Sequence, residues 1–321
     1  MRDAALRGDY PVRVSTLASG VVVVPRGVAA PRRAARLKGY LLVLPAVIYV
    51  LALLGFPLVL GIWYSLTDAT VARDGRFIGL KNFVDAVKDP TFRLALRNTL
   101  IIATVATAAK ITLSVGLAFL LLGAFRGRSL LRTLFVLPWT IPIALSTIAW
   151  KWMFHSQFSV VNWILLKVGL IDHSIQWLGT PIPAMFAVIL VSTWRAVPFG
   201  AIVVMAGLTA LPADVIDAAR VDGASWLQRF RNVIVPLIAP ILLIALLFDL
   251  IFTLTELTVV YLLTGGGPVD QTQVLANYAL QVGVPGSQLG QGAAIALFML
   301  PVLLALTIMA LRTIARREGV V

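Results

Sequence analysis

Residues 234–263 read IVPLIAPILLIALLFDLIFTLTELTVVYLL, an almost unbroken apolar stretch. About 20 apolar residues in a helix are enough to cross a bilayer, so this stretch predicts a transmembrane helix with some length to spare. Five other stretches have a similar composition: Gly39–Leu66, Asn98–Leu122, Thr133–Phe154, Ala184–Leu208 and Gly290–Leu311. We therefore predict an all-α membrane protein with six transmembrane helices.

The composition of the whole chain agrees with this fold class. Of its 321 residues, 60% are hydrophobic and 13% are charged, and the mean hydropathy is +0.94. A soluble domain usually carries about 25% charged residues, so a soluble enzyme and a disordered chain are both excluded. The chain has no cysteine, which excludes disulfides, thiolate metal sites and a cysteine nucleophile.

The distribution of lysine and arginine predicts the orientation in the membrane. Seventeen of these residues flank one side of the six predicted helices and eight flank the other. Because the positive side faces the cytoplasm, both termini are expected to be cytoplasmic in a bacterial plasma (inner) membrane, and the net charge of +13 needs no nucleic-acid partner. We divide the chain into an Arg-rich tail (1–38), which can contact anionic membrane lipid, a membrane domain (39–312) and a second tail (313–321).

Several kinds of chemistry are missing from the sequence. No G-x-x-x-x-G-K-[ST] phosphate loop is present, and the glycine-rich run at 265–268 lacks the lysine that this loop requires. The two histidines, His155 and His173, do not have the spacing of metal ligands. We therefore predict no catalytic residues, no metal site and no cofactor bound by this chain.

The loop at 209–233, between the fourth and fifth predicted helices, lies on the positively charged side. Pro212 is suited to the first turn of a short helix, which is expected to end near Asp222. Gly223 can supply a turn that other residues resist. A second short helix then carries Phe230, and Pro236 is expected to open the fifth transmembrane helix. From the residues alone, a plain helical hairpin and a docking surface for another protein both stay open.

The run D-A-A-x-x-D-G-A-x(5)-F-x(3)-I-x-P at 217–236 resembles the EAA loop of membrane subunits of binding-protein-dependent ABC importers. Asp217 stands where that family more often has Glu, and Val235 where it often has Leu. The resemblance implies that this loop contains a coupling helix that docks into a separate ATPase subunit. The residues implied in docking are Asp217, Ala218, Ala219, Asp222, Gly223, Ala224 and Phe230.

Other segments resemble the carbohydrate branch of this family, of the maltose and trehalose type: Phe77–Phe83, Leu137–Pro142, Trp150–Phe154, Trp194 with Pro198 and Phe199, and Leu263–Pro268 with Thr272. The likeness extends from Leu37 to Ala315. It implies the type I ABC importer permease fold and import of trehalose or another disaccharide. It also implies three kinds of partner, which are a second permease subunit in a heterodimer, two ATPase subunits that bind ATP and Mg, and an extracytoplasmic solute-binding (lipo)protein.

Four ionisable residues lie well inside predicted spans, away from the span ends, where such groups are costly and often functional: Lys110, Arg195, Asp249 and Glu256. Asp249, Phe252, Thr253 and Glu256 have i, i+3, i+4 and i+7 spacing, which predicts one helix face. Carboxylates accept hydrogen bonds from sugar hydroxyls and an aromatic ring can pack against a sugar, so this face suits a polyhydroxylated solute.

The fourth predicted helix offers a second polar face. Ser192, Arg195 and Phe199 share it, and Trp194 is adjacent. The resemblance implies that the corresponding stretches of these two helices line the transport cavity. Two alternatives stay open: Arg195 can pair with a carboxylate or with a partner subunit only to hold the bundle, and Lys110 can form a structural pair or face water.

A different function also stays open from these charges. Asp249, Glu256 and Arg195 could form the relay of an ion- or proton-coupled secondary transporter. That function would leave the 217–236 pattern without a role.

Overall fold

The computed structural model describes residues 16–17, 20–21 and 32–317. The chain divides into two units, Met1–Leu60 and Gly61–Val321. In the first unit, strands β1 (Thr16–Leu17) and β2 (Gly20–Val21) pair antiparallel and precede helix α1 (Arg32–Val50). The remainder of the predicted tail up to residue 31 lies outside the described residues.

Helices form nearly all of the regular structure that follows. After a π-helical turn at Leu51–Gly55 come α2 (Phe56–Ser65), α3 (Lys81–Lys88), α4 (Pro90–Leu122), α5 (Arg128–Thr140), α6 (Ile143–Met153), α7 (Val160–Lys167), α8 (Pro181–Thr209), α9 (Ala213–Val221), α10 (Trp226–Arg229), α11 (Val235–Leu254), α12 (Thr258–Leu263), α13 (Leu275–Gly283), α14 (Leu289–Leu297) and α15 (Leu300–Arg317). A second π-helical turn, Phe230–Ile234, joins α10 to α11.

The structure contains five of the predicted transmembrane helices as long helices and the sixth as a bent pair of helices. Within the described part of the chain, five stretches are long and apolar enough to cross a membrane: Gly39–Ser65, Pro90–Leu122, Pro181–Thr209, Trp226–Leu254 and Leu289–Ala315. The sixth predicted helix corresponds to the pair α5 and α6, and the count is six if this bent pair is one span. The all-α membrane fold is confirmed.

The predicted helix at Thr133–Phe154 is divided into two helices in the structure. Helices α5 and α6 meet at an angle of 98°. Pro142 cannot donate a backbone hydrogen bond and disfavours a helical conformation in the residue before it. Ile141 accordingly has the extended backbone angles φ −72° and ψ 134°, and the helix ends there. The bend decides where the side chains of α5 lie.

The predicted bounds of the fifth helix, Ile234–Leu263, were also wrong at both ends. The helix begins at Trp226, because Ser225 and Gln228 form a capping box, and it continues through the π-helical turn into α11. Pro236 therefore lies inside the stretch and does not open it. At the other end α11 stops at Leu254, and Thr255–Leu257 separate it from α12.

Helix α4 begins earlier than the predicted Asn98. Pro90 occupies its first turn, and the Asp89 carboxylate accepts a hydrogen bond from the backbone N–H of Thr91 at 2.8 Å. An acceptor before the helix and a proline in the first turn are the usual ways to begin a helix. The cap extends α4 to 33 residues.

Three long helices, α4, α8 and α11, pack together in the second unit. A Cβ atom at Gly200 of α8 would lie 2.3 Å from the Ser114 hydroxyl of α4, and one at Gly207 would lie 3.1 Å from Ile241 of α11. Small residues allow such close approach between membrane helices. Ala118, Val204, Ile234 and Ile238 form a buried apolar cluster where the three helices meet.

The glycine-rich run after α12 forms a tight turn. Gly265 and Gly266 have φ values of +64° and +95°, which other residues rarely adopt. The Thr272 hydroxyl lies 2.7 Å from the Thr264 hydroxyl and 2.6 Å from the backbone oxygen of Gly267. The run therefore has a structural role as a tight turn.

Candidate functional site

A cavity of about 740 Å³ lies between α4, α8 and α11, with Trp139 of α5 at its wall. Small-molecule sites typically measure about 300–1,000 Å³. The cavity wall is mostly apolar and carries a few polar or charged side chains, which is the usual composition of a site that orients a ligand.

Seven of the eight residues predicted for a substrate pathway line this cavity: Ser192, Arg195, Phe199, Asp249, Phe252, Thr253 and Glu256. Trp194 is absent from the wall. Its ring packs edge-on against Trp150 of α6, with the ring centroids 5.4 Å apart. The structure therefore brings the polar faces of the two predicted helices together, while Trp194 connects α8 to α6.

Trp139 is a cavity residue that was not among those predicted from the sequence. Its ring stacks on Phe199 with centroids 5.2 Å apart and an interplanar angle of 17°. Both side chains are about half exposed, so the pair forms an aromatic platform at the wall. The proline at position 142, three residues after Trp139, was the sequence signal for a break in the helix. The bend at Ile141 explains why Trp139 faces α8.

Lys110 is the partner of Asp249. The Lys110 ammonium lies 3.2 Å from Asp249 Oδ1 and donates to the Thr253 hydroxyl at 2.7 Å. The other carboxylate oxygen, Oδ2, accepts from the Thr107 hydroxyl at 2.8 Å. Of the two alternatives left open for Lys110, the structural pair is the one observed. Both oxygens of Asp249 are thus engaged by side chains of α4.

Arg195 makes no such pair. No described carboxylate lies within salt-bridge distance of its guanidinium, and its buried Nε atom has no hydrogen-bond partner among the described residues. Among the described residues Arg195 pairs with neither Asp249 nor Glu256, so that alternative was wrong within this chain. Ser192 lies one helical turn away from Arg195. Its buried hydroxyl also lacks a hydrogen-bond partner among the described residues. Both residues line the cavity, and each has a buried polar atom without a partner among the described residues.

Glu256 differs from the other residues of its predicted face. It follows the end of α11, so the expected i+7 position on a continuous helix was wrong. Its Oε1 atom accepts a hydrogen bond from the backbone N–H of Val259 at 3.2 Å, in the first turn of α12. The break in the helix keeps this carboxylate at the cavity wall, beside Thr255 and Thr258.

The loop at 209–233 has the predicted two-helix form. Asp214 lies in the first turn of α9, and Gly223 follows that helix with φ +74°. We call residues 213–229, which contain α9, the turn and α10, the elbow. Of the residues implied in docking, Asp217, Ala218, Asp222 and Gly223 are exposed, and Ala219, Ala224 and Phe230 are partly buried.

Aromatic contacts join the elbow to α4. The rings of Trp226 and Phe230 stack with centroids 5.4 Å apart. Phe119, near the end of α4, packs edge-on against Trp226 at 6.2 Å and against Phe230 at 5.5 Å. The Arg229 guanidinium donates to the backbone oxygen of Ala224 at 2.6 Å, which closes the turn. The elbow is thus a defined structure packed against one of the helices of the cavity.

Comparisons with known proteins identify the class. Residues 110–318 match the family described as binding-protein-dependent transport system inner membrane component. The trehalose/maltose transport system permease protein MalF of Thermococcus litoralis is 33% identical over 275 residues, which is 85% of this chain and 92% of that protein. This chain belongs to that family, and it is a multi-pass inner membrane permease component of a transport system.

Two further relatives have a similar extent. The diacetylchitobiose uptake system permease protein DasB of Streptomyces coelicolor is 33% identical and covers 90% of each chain. The sulfoquinovosyl glycerol transport system permease protein SmoG of Agrobacterium fabrum is 32% identical over 88% of this chain and 92% of that one. A bacterial ABC transporter that imports alginate supplies the same fold, with a TM-score of 0.75 at 23% identity over 89% of this chain and 99% of that one.

Proposed function

We propose that this chain forms one half of the translocation pathway of an ATP-driven importer for a disaccharide such as trehalose. The cavity between α4, α8 and α11 carries this proposal. Its aromatic platform of Trp139 and Phe199 suits the apolar face of a sugar ring. The guanidinium of Arg195, which lines the cavity, offers hydrogen-bond donors, and the Glu256 carboxylate offers acceptors.

The names of the relatives agree with this class of solute. The relatives are permeases for trehalose/maltose, diacetylchitobiose and sulfoquinovosyl glycerol, all of which are glycosides. The site of this chain holds both donors and acceptors around an aromatic surface, a combination that a neutral polyhydroxylated solute can satisfy.

The elbow is the proposed docking element for a separate ATPase subunit. Val221 at its turn is 87% exposed and Leu227 is 64% exposed, so apolar side chains are available to a partner. Exposed apolar groups at a convex turn are suited to insertion into a cleft. We further propose a second permease subunit beside this chain and an extracytoplasmic solute-binding protein. One fold neighbour was solved in complex with a pentasaccharide-bound periplasmic protein.

The mechanism requires that the states of the ATPase favour different conformations of the membrane helices. ATP can shift this equilibrium only through contacts whose free energy differs between the two conformations. In this proposal the elbow supplies those contacts, α11 carries the displacement into the membrane, and the cavity changes the side from which it is open. Hydrolysis takes place on the partner ATPase.

The first test reconstitutes the complete complex in proteoliposomes with its binding protein and labelled trehalose. Uptake is expected to require ATP on the ATPase side and to persist when the proton gradient is collapsed. Uptake that follows a proton gradient in the absence of ATP would contradict the proposal and favour the ion-coupled alternative.

A second test probes the aromatic platform. Trp139→Ala is expected to raise the KM for uptake about tenfold, since a lost aromatic contact of about 1.4 kcal/mol corresponds to that factor. Trp163→Ala is the matched control, because Trp163 is 61% exposed on α7 and does not line the cavity. An equal KM for both variants would count against the cavity as the solute site.

A third test probes the elbow. Gly223→Val places a branched side chain at φ +74° and is expected to reduce co-purification of the ATPase subunit. Gly169→Val is the control, because Gly169 has a similar φ of +71° just after α7. Loss of the ATPase from both variants alike would indicate misfolding and not a docking defect.

Orientation has a direct test because the chain contains no cysteine. In sealed vesicles without the ATPase, Val221→Cys is expected to react with an impermeant thiol reagent only from the cytoplasmic side. Labelling from the opposite side would reverse the proposed topology.

A further inference from the structure

Four polar side chains link α4 to α11 inside the membrane-spanning part of the chain: Thr107 and Lys110 on α4, and Asp249 and Thr253 on α11. We call this group the latch. Lys110 is 7% exposed and Thr253 is 4% exposed, so the ammonium and its hydroxyl acceptor are almost fully removed from solvent. The Thr253 hydroxyl in turn donates to the backbone oxygen of Asp249 at 2.7 Å. The polar atoms of these four side chains thus have hydrogen-bond partners within the group, whereas the Nε atom of Arg195 has none among the described residues.

The rest of the contact between α4 and α11 is largely apolar. Ala118 of α4 belongs to the same buried cluster as Ile238 of α11, and Ala103 to the same cluster as Leu254. Between membrane helices, burial of apolar surface gives no hydrophobic driving force because the lipid tails are equally apolar, so association depends on close packing and on polar contacts. An ion pair with two hydroxyl contacts is directional, so the latch determines the register of α11 along α4.

The position of the latch along α11 connects it to the elbow. The stretch Trp226–Leu254 is helical throughout, so Asp249 lies on the same helical stretch as the elbow residue Trp226. A displacement of the elbow is therefore transmitted along this stretch to Asp249. At that point the latch joins it to α4, and Lys110, Asp249 and Thr253 all lie at the cavity wall.

We propose that Lys110 is a positioning residue for transport: through Asp249 and Thr253 it transmits movement of the elbow to the cavity wall formed by α4. This inference rests on the proposed function, since it requires a motor that moves the elbow. Lys110 and Asp249 perform this role as an ion pair, so neither is sufficient without the other. The pair should work in either orientation, because an interhelical ion pair has no requirement for which helix carries the positive charge.

The experiment compares two double variants in the reconstituted complex. Lys110→Asp/Asp249→Lys exchanges the charges, and Lys110→Met/Asp249→Leu replaces the pair by apolar side chains of similar length. Thr112→Val is the control, because among the described residues the Thr112 hydroxyl bonds only to the Ala108 backbone oxygen of its own helix. Three quantities are measured for each: assembly with the ATPase, the KM for solute, and the number of solute molecules imported per ATP hydrolysed.

The charge-exchanged variant is expected to import solute per ATP within about twofold of the wild type. The apolar variant is expected to assemble and to hydrolyse ATP, but to import about tenfold less solute per ATP, while its KM changes by less than about threefold. A latch that only stabilises packing would leave the ratio of import to hydrolysis normal in the apolar variant, and that result would overturn the proposal.

Two other outcomes would also overturn it. If the apolar variant raises KM tenfold at a normal ratio of import to hydrolysis, Asp249 is a solute contact. If the charge-exchanged variant assembles but does not couple, the orientation of the pair matters and a simple latch is excluded. Failure of the proposed function would be seen separately, as uptake by the wild-type complex that does not depend on ATP.

Discussion

Helix α4 contacts its two neighbours in different ways. Against α8 it packs closely, since Gly200 leaves room for Ser114, whose hydroxyl donates to the backbone oxygen of Val197 at 3.1 Å. Against α11 it relies on the ion pair of Lys110 and Asp249. Close packing depends on the fit of many small contacts, whereas a buried ion pair depends on the presence of both charged partners. The contact with α8 is therefore expected to be sensitive to side-chain volume, and the contact with α11 to the loss of one charged partner.

The largest effect is expected from breaking the ion pair on one side only. Lys110→Met leaves the Asp249 carboxylate without its counter-charge, and loss of one partner of a buried pair costs about 3–5 kcal/mol. The midpoint temperature of thermal unfolding of the purified chain should therefore fall. The apolar double variant should recover most of this loss. A single variant as stable as the double variant would mean that the pair is not energetically coupled.

The next effect concerns the close packing of α4 and α8. Gly200→Leu places a side chain where even a Cβ atom would lie 3.0 Å from Ser114 Cβ, and overpacking typically costs about 1–3 kcal/mol. Gly116→Leu is the matched control on α4, because a Cβ atom there meets nothing within 4 Å. Reduced yield of folded protein should appear only for Gly200→Leu. Equal loss for both would refute the importance of this close approach.

A smaller effect is expected within the latch. Thr253→Val keeps the shape of the side chain but removes the oxygen that accepts from Lys110 at 2.7 Å. A hydrogen bond to a charged group contributes about 1.5–3 kcal/mol in general, with smaller values between membrane helices. A modest fall in stability should accompany a measurable fall in the ratio of import to hydrolysis. An unchanged ratio would restrict the latch to the ion pair alone.

The smallest effect is expected for Ser114→Ala. This change removes one interhelical hydrogen bond, which averages about 0.6 kcal/mol between membrane helices, and it leaves the close approach of Gly200 intact. Stability should fall slightly and transport should stay normal. A large defect would show that the hydroxyl, and not the close packing, holds α4 to α8.

The sequence predicted the features that depend on local patterns. Hydropathy identified the long apolar helices, and the residues of the loop at 209–233 predicted the helix, turn and helix of the elbow. Breaks within spans were harder to predict. The periodic spacing of residues along a helix does not show that the chain bends at Ile141 or that α11 ends at Leu254. The i+7 position of Glu256 failed for this reason.

Pairings between distant residues could not be predicted. Lys110 and Asp249 are 139 positions apart, and either Lys110 or Arg195 could have been the cation that meets Asp249. The choice depends on how α4, α8 and α11 are arranged, which follows from the close packing at Gly200 and Gly207. The sequence identified the charged residues near the cavity, while the packing decided which of them are paired.

The corner at Ile141 has an electrostatic consequence for the cavity. Helix α5 ends within two residues of Trp139, so its carboxyl terminus lies close to the cavity wall. The last backbone oxygens of a helix lack partners within the helix and carry a partial negative charge of about half an electron in total. A count of charged side chains therefore underestimates the negative electrostatic potential at the part of the cavity wall near Trp139. Solutes that donate protons to hydrogen bonds, as alcohols do, are favoured there over anions.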